Sequence, residues 1–178
     1  MSLAPPRSDE YAPFFAGYVA RAAGVRAPGD ELLAQRARLL NFLAPLSDEQ
    51  AMYRYGAGKW SIKELVGHLS DAERIFAYRL LRIGRGDETP LSGFQENDYV
   101  RAAGFDRRPF GELLDEWAAT RDATVALTAG MPGDAWERRG TANGTGVTAR
   151  ALLYIILGHV EHHLSILAER YGLTVPQP

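Results

Sequence analysis

Three of the four histidines in this 178-residue chain fall within five consecutive residues, His159-Val160-Glu161-His162-His163. Residues four apart on an α-helix project from the same face, so His159 and His163 could bind one ligand together. The fourth histidine, His68, lies on another segment with strong apolar periodicity and supplies a third imidazole. Because three protein ligands with an open position are typical of catalytic zinc sites, this spacing predicts a mononuclear metal site.

The predicted histidine ligands all lie on apolar stripes. On the last predicted helix, the stripe that carries the histidines also carries Leu152, Ile156 and Leu167. His162 lies at the edge of this stripe, and Tyr154 is expected on the opposite face. A single buried histidine is usually a hydrogen-bonded core residue. Three buried imidazoles each need a partner, and one metal ion supplies all three.

The neighbouring residues exclude two other metal motifs. A zincin requires glutamate directly after its first histidine, where Val160 stands, and the inverted motif requires glutamate at the position of His162. A di-iron bundle requires Glu-x-x-His pairs, and no histidine in the chain has glutamate three residues before it. A three-histidine mononuclear site therefore remains.

Several polar residues near the histidines are candidates for catalysis or for support of the ligands. Asp71, Glu64 and Glu161 could accept the second N–H of a ligating imidazole or act as a base, although a solvated surface charge is the more common role for such residues. Arg79 lies on the same stripe as the first histidine and could bind an anionic substrate group or extend to solvent. His162 could contact substrate or line the rim of the site.

The segments that carry these residues are predicted to be helices. Ser61 is a good N-cap for the second long helix, and Glu64, three residues later, completes a capping box. The first long helix is predicted to begin near Pro28. The third is predicted to begin with Pro109 at its first helical position, and the last begins after the cap residue Thr148. Strong alternating strands and internal repeats are absent from the sequence. The pattern predicts an all-α four-helix bundle.

The connections between these helices are also informative. Residues 84–108 form a long, glycine-rich connection between the second and third helices, which predicts a crossover and a functional loop. Residues 134–147 contain the turn sequence Asn143-Gly144 and predict a small hairpin or lid. Residues 1–27 predict an N-terminal arm with a short helix, and residues 28–178 predict a single bundle domain.

Composition excludes several classes of function. The absence of cysteine excludes disulfides, cysteine-based zinc sites and cysteine nucleophiles. A net charge of −2 gives no electrostatic footprint for nucleic acid. Residues 1–28 lack the apolar run of a signal peptide, and no uncharged stretch reaches the roughly 18 residues of a membrane span. We therefore expect a cytoplasmic protein that acts on a small molecule, without nucleic-acid or membrane partners, and that could form a homodimer through exposed helix faces.

Two stretches of the chain resemble the DinB/YfiT-like family of metalloenzymes. They run from Tyr53 to Leu69 (Y-R-Y-G-A-G-K-W-S-I-K-E-L-V-G-H-L) and from Gly158 to Leu164 (G-H-V-E-H-H-L). A Trp-Ser-x-x-Glu-x-x-x-His start followed by His-x-x-x-His near the C-terminus is a specific combination. Asn97-Asp98-Tyr99 is similar to a loop motif of this family. The resemblance covers most of the chain after residue 30.

The resemblance implies a four-helix bundle with a long crossover and one divalent metal held by His68, His159 and His163. It also implies a low-molecular-weight-thiol S-transferase or isomerase, with a thiol such as bacillithiol or mycothiol as cosubstrate. We expect zinc, with nickel, iron and manganese as alternatives, because imidazole suits several of these metals. Two other hypotheses stay open: a hydrolase that uses metal-activated water, and a non-catalytic, stress-related metal-binding protein.

Overall fold

The computed structural model describes residues 2–174, and α-helices make up most of this part of the chain. The helices are α1 (Ala16–Ala22), α2 (Pro28–Leu43), α3 (Asp48–Ala51), α4 (Ile62–Gly84), α5 (Glu96–Ala103), α6 (Phe110–Ala129) and α7 (Ala149–Glu169). Both α2 and α4 pack against α6 and α7, so these four long helices form the predicted bundle. The prediction of an all-α fold is confirmed.

Capping side chains set the starts of the two helices that carry histidines. At the start of α4, the Ser61 hydroxyl accepts a hydrogen bond from the Glu64 amide at 3.0 Å, and the Glu64 carboxylate accepts one from the Ser61 amide at 2.9 Å. At the start of α7, the Thr148 hydroxyl accepts from the Ala151 amide at 3.1 Å. Both predicted caps are therefore confirmed, and they fix which residues of each helix face the bundle.

The third long helix begins one residue later than predicted. Pro109 has φ −55° and ψ 136°, so it is the N-cap residue and not the first helical residue. The first helical residue is Phe110, whose amide donates to the Asp48 carboxylate at 2.7 Å. This contact from the α3 turn satisfies an N–H group that the helix itself leaves free. A partner 62 residues away in the chain thus decides where α6 starts.

The connection between α4 and α6 contains more regular structure than the sequence predicted. It includes α5, so the Asn97-Asp98-Tyr99 motif is helical, and Gly104 caps the helix in the left-handed conformation (φ +65°). The predicted hairpin is present as β1 (Arg139–Ala142) and β2 (Thr145–Thr148), paired antiparallel. The amide of Leu91, in the connection, donates to a carbonyl of β1, and the Leu91 carbonyl accepts from the amide of Asn143. The two segments are therefore joined by backbone hydrogen bonds, and residues of both line one cavity.

Helix α7 is buried on all sides along its first half. Tyr154, expected to face away from the apolar stripe, is fully buried, because α1 and the N-terminal segment cover that side of the helix. Its hydroxyl lies 2.7 Å from the carbonyl of Leu3 and 2.8 Å from that of Val25. This helix is long and apolar enough to cross a membrane, because an 18-residue stretch of it has a mean hydropathy of 1.4. However, 72% of that stretch is buried inside the protein. Its hydropathy is that of a central core helix.

A buried polar network, centred on one ion pair, connects the four bundle helices near the histidines. Arg121 of α6 donates two hydrogen bonds to the Glu73 carboxylate of α4, at 2.6 and 2.8 Å. Its third polar contact is with the side-chain oxygen of Gln35, on α2, at 3.0 Å. The Gln35 amide in turn donates to the carbonyl of Leu157, on α7, at 2.9 Å. This polar network ties α7 to the other three helices two residues before the first of its histidines.

Candidate metal centre

The three predicted ligands come together where α4 and α7 pack against each other. The Nε2 atom of His159 lies 3.0 Å from Nε2 of His68 and 3.1 Å from Nε2 of His163. These side chains are 3–7% exposed, so the nitrogen atoms converge inside the protein. Among the described residues, this is the group of histidine and acidic side chains whose ligand atoms are close enough to hold one metal ion.

The geometry of the triad fits a metal ion. A neutral imidazole has one N–H and one lone pair, so His159 Nε2 can complete at most one good hydrogen bond with its two neighbouring nitrogens. At least one of the two close N···N contacts is therefore left without a shared proton. Zinc–nitrogen bonds of about 2.0–2.1 Å in a tetrahedron place ligand nitrogens about 3.4 Å apart, near the observed separations. A metal ion at the centre of the triad would accept all three lone pairs.

Burial keeps the triad in the uncharged form that metals require. Burial lowers the pKa of His68 to about 4, with a smaller contribution from the nearby His162. It also lowers the pKa values of His159 and His163 well below the ordinary value, and the other histidines act in the same direction. Neutral imidazoles present free lone pairs at neutral pH, so protons do not compete with a cation there.

A glycine precedes the first ligand on each helix, and each glycine allows a close approach. A Cβ atom on Gly67 would lie 2.4 Å from the ring of Phe105, and one on Gly158 would lie 1.8 Å from the carbonyl oxygen of Tyr18. The ring of Phe105, which follows α5, therefore packs directly on α4 beside His68. The backbone of α1 packs directly on α7 beside His159. Sequence reasoning missed these contacts, although a Gly-His pair inside a helix is a usable signal because glycine weakens a helix interior.

The structure separates the acidic candidates from the triad. Asp71 lies 3.6 Å from Arg74, and burial raises its pKa, with Arg74 opposing that shift. The carboxylate of Glu161 accepts from Gln35 at 2.6 Å and pairs with Arg38 of α2. In residues 2–174 neither carboxylate accepts a hydrogen bond from a triad histidine, and neither does Glu64, which completes the α4 cap. The expected carboxylate support for a ligand imidazole is not formed here.

Two cavities border the triad on different sides. The first, of about 340 Å³, is here called the phenylalanine cavity, and its lining includes Phe14, Phe15, Phe76, Arg79, Phe94 and His159. The second, of about 390 Å³, is called the tryptophan cavity, and its lining includes Tyr55, Lys59, Trp60, His162, His163 and Tyr171. Both cavities are also lined by Tyr18, His68, Glu96 and Asn97. Of the polar candidates from the sequence, Arg79 therefore lines the phenylalanine cavity and His162 lines the tryptophan cavity.

Two aromatic residues at the triad were not predicted as site residues. The ring of Tyr18 packs edge-on against His159 at a centroid distance of 5.3 Å, and it lies 5.2 Å from the ring of His162. Burial raises the pKa of the Tyr18 hydroxyl, and the charge of Glu96 adds to this shift. The indole of Trp60 lies 4.7 Å from the ring of His68. Trp60 belongs to a recognisable motif, but no local signal connects Tyr18 with histidines about 140 residues later.

The fold and the site thus define a four-helix bundle protein in which α4 and α7 bring three buried histidines together. The profile of the DinB superfamily matches residues 31–167, so the chain belongs to this superfamily. In sequence, it is 31% identical over 112 residues to a mycothiol acetyltransferase of Rhodococcus jostii (strain RHA1). That match includes 63% of this chain and 35% of the relative, so the chain spans about a third of that protein's length.

Solved structures with the same fold include YfiT from Bacillus subtilis, described as a probable metal-dependent hydrolase with an unusual four-helix bundle topology. It superposes with a TM-score of 0.73 over 95% of this chain and 94% of YfiT, at 18% identity. A mycothiol-dependent maleylpyruvate isomerase superposes with a TM-score of 0.67 over 84% of this chain and 63% of the isomerase, at 16% identity. A DinB-like protein from Bacillus subtilis gives a TM-score of 0.59 at 21% identity, over 84% and 95% of the two chains. These similarities establish the fold.

Proposed function

We propose that the chain is an enzyme that uses one divalent metal ion, held by His68, His159 and His163, to transfer a low-molecular-weight thiol to a small electrophile. The observation that carries this proposal is the convergence of three buried imidazole nitrogens, at 3.0–3.1 Å, between two cavities. When bound, the metal would lower the pKa of a coordinated thiol or water. The mycothiol-dependent isomerase among the similar structures supports a thiol cosubstrate, as does the name of the mycothiol acetyltransferase, which connects that relative with the same thiol.

The residues around the triad would orient the substrates and restrict water. Tyr18 and Trp60 cover the rings of His159 and His68 from two sides. In the tryptophan cavity, Lys59 and His162 offer donors to the polar groups of a thiol cosubstrate. A second cavity of similar size favours two organic substrates over a single substrate and water. A hydrolase remains the second candidate, supported by the description of YfiT.

The metal assignment can be tested by elemental analysis of the untagged protein. We expect about one equivalent of divalent metal, with zinc predominant, in the wild type, and its loss in His163→Ala. His162→Ala is the matched control, because it removes an imidazole from the adjacent position of α7 that points outside the triad. A wild-type protein that holds no metal after reconstitution with zinc, or His163→Ala with a full complement, would contradict the proposal.

The reaction class can be tested on the metal-loaded wild type with two assays. In the first, mycothiol or bacillithiol is supplied with the fluorogenic electrophile monochlorobimane; in the second, an activated ester is supplied without any thiol. Thiol conjugation that is lost in His163→Ala supports the transferase. Ester hydrolysis without thiol, lost in the same variant, favours the hydrolase. A fully metallated protein without turnover in either assay would instead favour the non-catalytic metal-binding hypothesis.

A further inference from the structure

The phenylalanine cavity contains a buried cation without an acidic partner. Arg79 is 4% exposed, and its guanidinium makes one hydrogen bond, from Nη2 to the carbonyl of Ser92 at 2.8 Å. A guanidinium has five N–H donors, so most of its capacity is unused in this arrangement. In the described part of the chain, no aspartate or glutamate forms an ion pair with it, and burial lowers its pKa without any acid opposing the shift.

A second buried arginine of the bundle, Arg121, shows what this position lacks. Arg121 donates two hydrogen bonds to the Glu73 carboxylate and further bonds to oxygens of α2. Its charge is therefore neutralised inside the protein. An anion that bound beside Arg79 would accept hydrogen bonds from guanidinium donors that the described chain leaves unused. Arg79 is thus suited to a partner that the described chain does not contain.

The surroundings of Arg79 indicate the kind of partner. Its Cζ atom lies 6.0 Å from the ring centres of both Phe76 and Phe94, so the guanidinium sits between two aromatic side chains. The Phe76 ring centre lies 5.7 Å from that of His159. The guanidinium is therefore less than about 12 Å from the His159 ring, the sum of these two distances. One small molecule could reach both Arg79 and the histidine triad.

We propose that the phenylalanine cavity binds a substrate with an aromatic or apolar body and a carboxylate that pairs with Arg79, leaving its reactive end at the triad. Arg79 is then the anion-binding and specificity-determining residue. This inference rests on the proposed function only in treating the cavity as the electrophile site. The fork of donors in a guanidinium matches a carboxylate with two parallel hydrogen bonds, which a neutral amide cannot accept equally well.

The test uses benzoate as the probe and benzamide as its neutral counterpart, with binding measured by calorimetry or NMR titration on zinc-loaded protein. We expect benzoate to bind wild type at least about tenfold more tightly than benzamide. Arg79→Met should weaken benzoate binding by about tenfold or more, and Arg79→Lys, which keeps the charge but loses the fork of donors, should restore only part of it. Arg82→Gln is the matched control, because Arg82 lies one turn further along α4, pairs with Asp87 and does not line the phenylalanine cavity.

The outcomes separate this inference from the metal assignment. The titration is repeated on chelator-treated protein, where benzoate should still bind more tightly to wild type than to Arg79→Met. Equal benzoate affinity in wild type and Arg79→Met would overturn the inference. Binding that needs zinc and does not change with that substitution would also overturn it, because the carboxylate would then lie on the metal. Absence of benzoate binding to wild type, or equal affinity for benzamide, would overturn it as well, even if Arg79→Met failed to fold. Metal content, measured separately, decides the proposed function.

Discussion

Gly158 offers the sharpest test of how α1 is held against the site. A Cβ atom at this position would lie 1.8 Å from the carbonyl oxygen of Tyr18, whereas real contacts of this kind are essentially never shorter than 3.0 Å. In Gly158→Ala, the backbone of α1 must therefore move away by at least 1.2 Å, the difference between these distances. Backbone cannot rotate out of the way as a flexible side chain can. The strain must be spread over the whole contact between α1 and α7.

The expected magnitude follows from two opposing effects. Overpacking a core costs about 1–3 kcal/mol, and replacing glycine by alanine inside a helix returns about 1 kcal/mol. Because the clash is with backbone, the cost belongs at the upper end of this range, and we expect Gly158→Ala to lower the free energy of unfolding by about 2 kcal/mol. For a chain of this size, that corresponds to a fall in melting temperature of several degrees, at about 2–4 °C per kcal/mol.

Urea unfolding of Gly158→Ala beside Gly17→Ala gives a matched comparison. Gly17 lies in α1, next to Tyr18, and a Cβ there meets no atom within 4 Å, so the same substitution should be neutral or slightly stabilising. Metal content should be retained in Gly158→Ala, because His159 and His163 stay on one helix. A Gly158→Ala protein as stable as wild type would refute the argument that direct backbone contact holds α1 in place.

Three further predictions concern buried charges and the metal. Arg121→Met should lower the free energy of unfolding by about 3–5 kcal/mol in chemical denaturation, because it leaves the buried Glu73 carboxylate unpaired; a loss below about 1 kcal/mol would contradict this. Burial alone would raise the pKa of Glu10, but hydrogen bonds from Arg150 and Thr148 outweigh burial and lower the pKa. The ionised Glu10 carboxylate therefore stabilises the fold above about pH 4.5, the ordinary pKa of a glutamate. Glu10→Gln should therefore cost about 1–3 kcal/mol at pH 7, and the difference from wild type should shrink as the pH falls through the lowered pKa; a constant difference down to pH 3 would refute this. Chelation should lower the melting temperature of the metal-loaded wild type but not that of a metal-free protein, as differential scanning fluorimetry would show.

Local signals in the sequence were sufficient for the bundle and for the ligand set of the proposed centre. The Ser61 capping box and the Thr148 cap begin the two helices that carry histidines, and both depend on residues within three positions. The four-residue spacing of His159 and His163 then places both imidazoles on one face. These features are readable because a helix start and a helix face are each determined by a few neighbouring residues.

Other features depend on contacts between distant parts of the chain. Tyr154 is buried because the N-terminal segment, more than 120 residues earlier, covers it. Tyr18 reaches the triad because Gly158 lets the backbone of α1 touch α7. Glu161 is turned away from the histidines by Gln35 and Arg38, partners that helical spacing alone does not reveal.

The sequence by itself therefore determined the four long helices, the caps of the two that carry histidines, and the choice of three histidines as ligands. Only the tertiary structure decided which aromatic rings cover those histidines, which charges remain without partners and where the two cavities lie. The physical reason is the range of the interactions: hydrogen bonds at helix ends and the helical period act over three or four residues. Packing of α1 on α7, and the placement of Arg79 in a cavity without an ion-pair partner in residues 2–174, arise only when segments far apart in the chain come together.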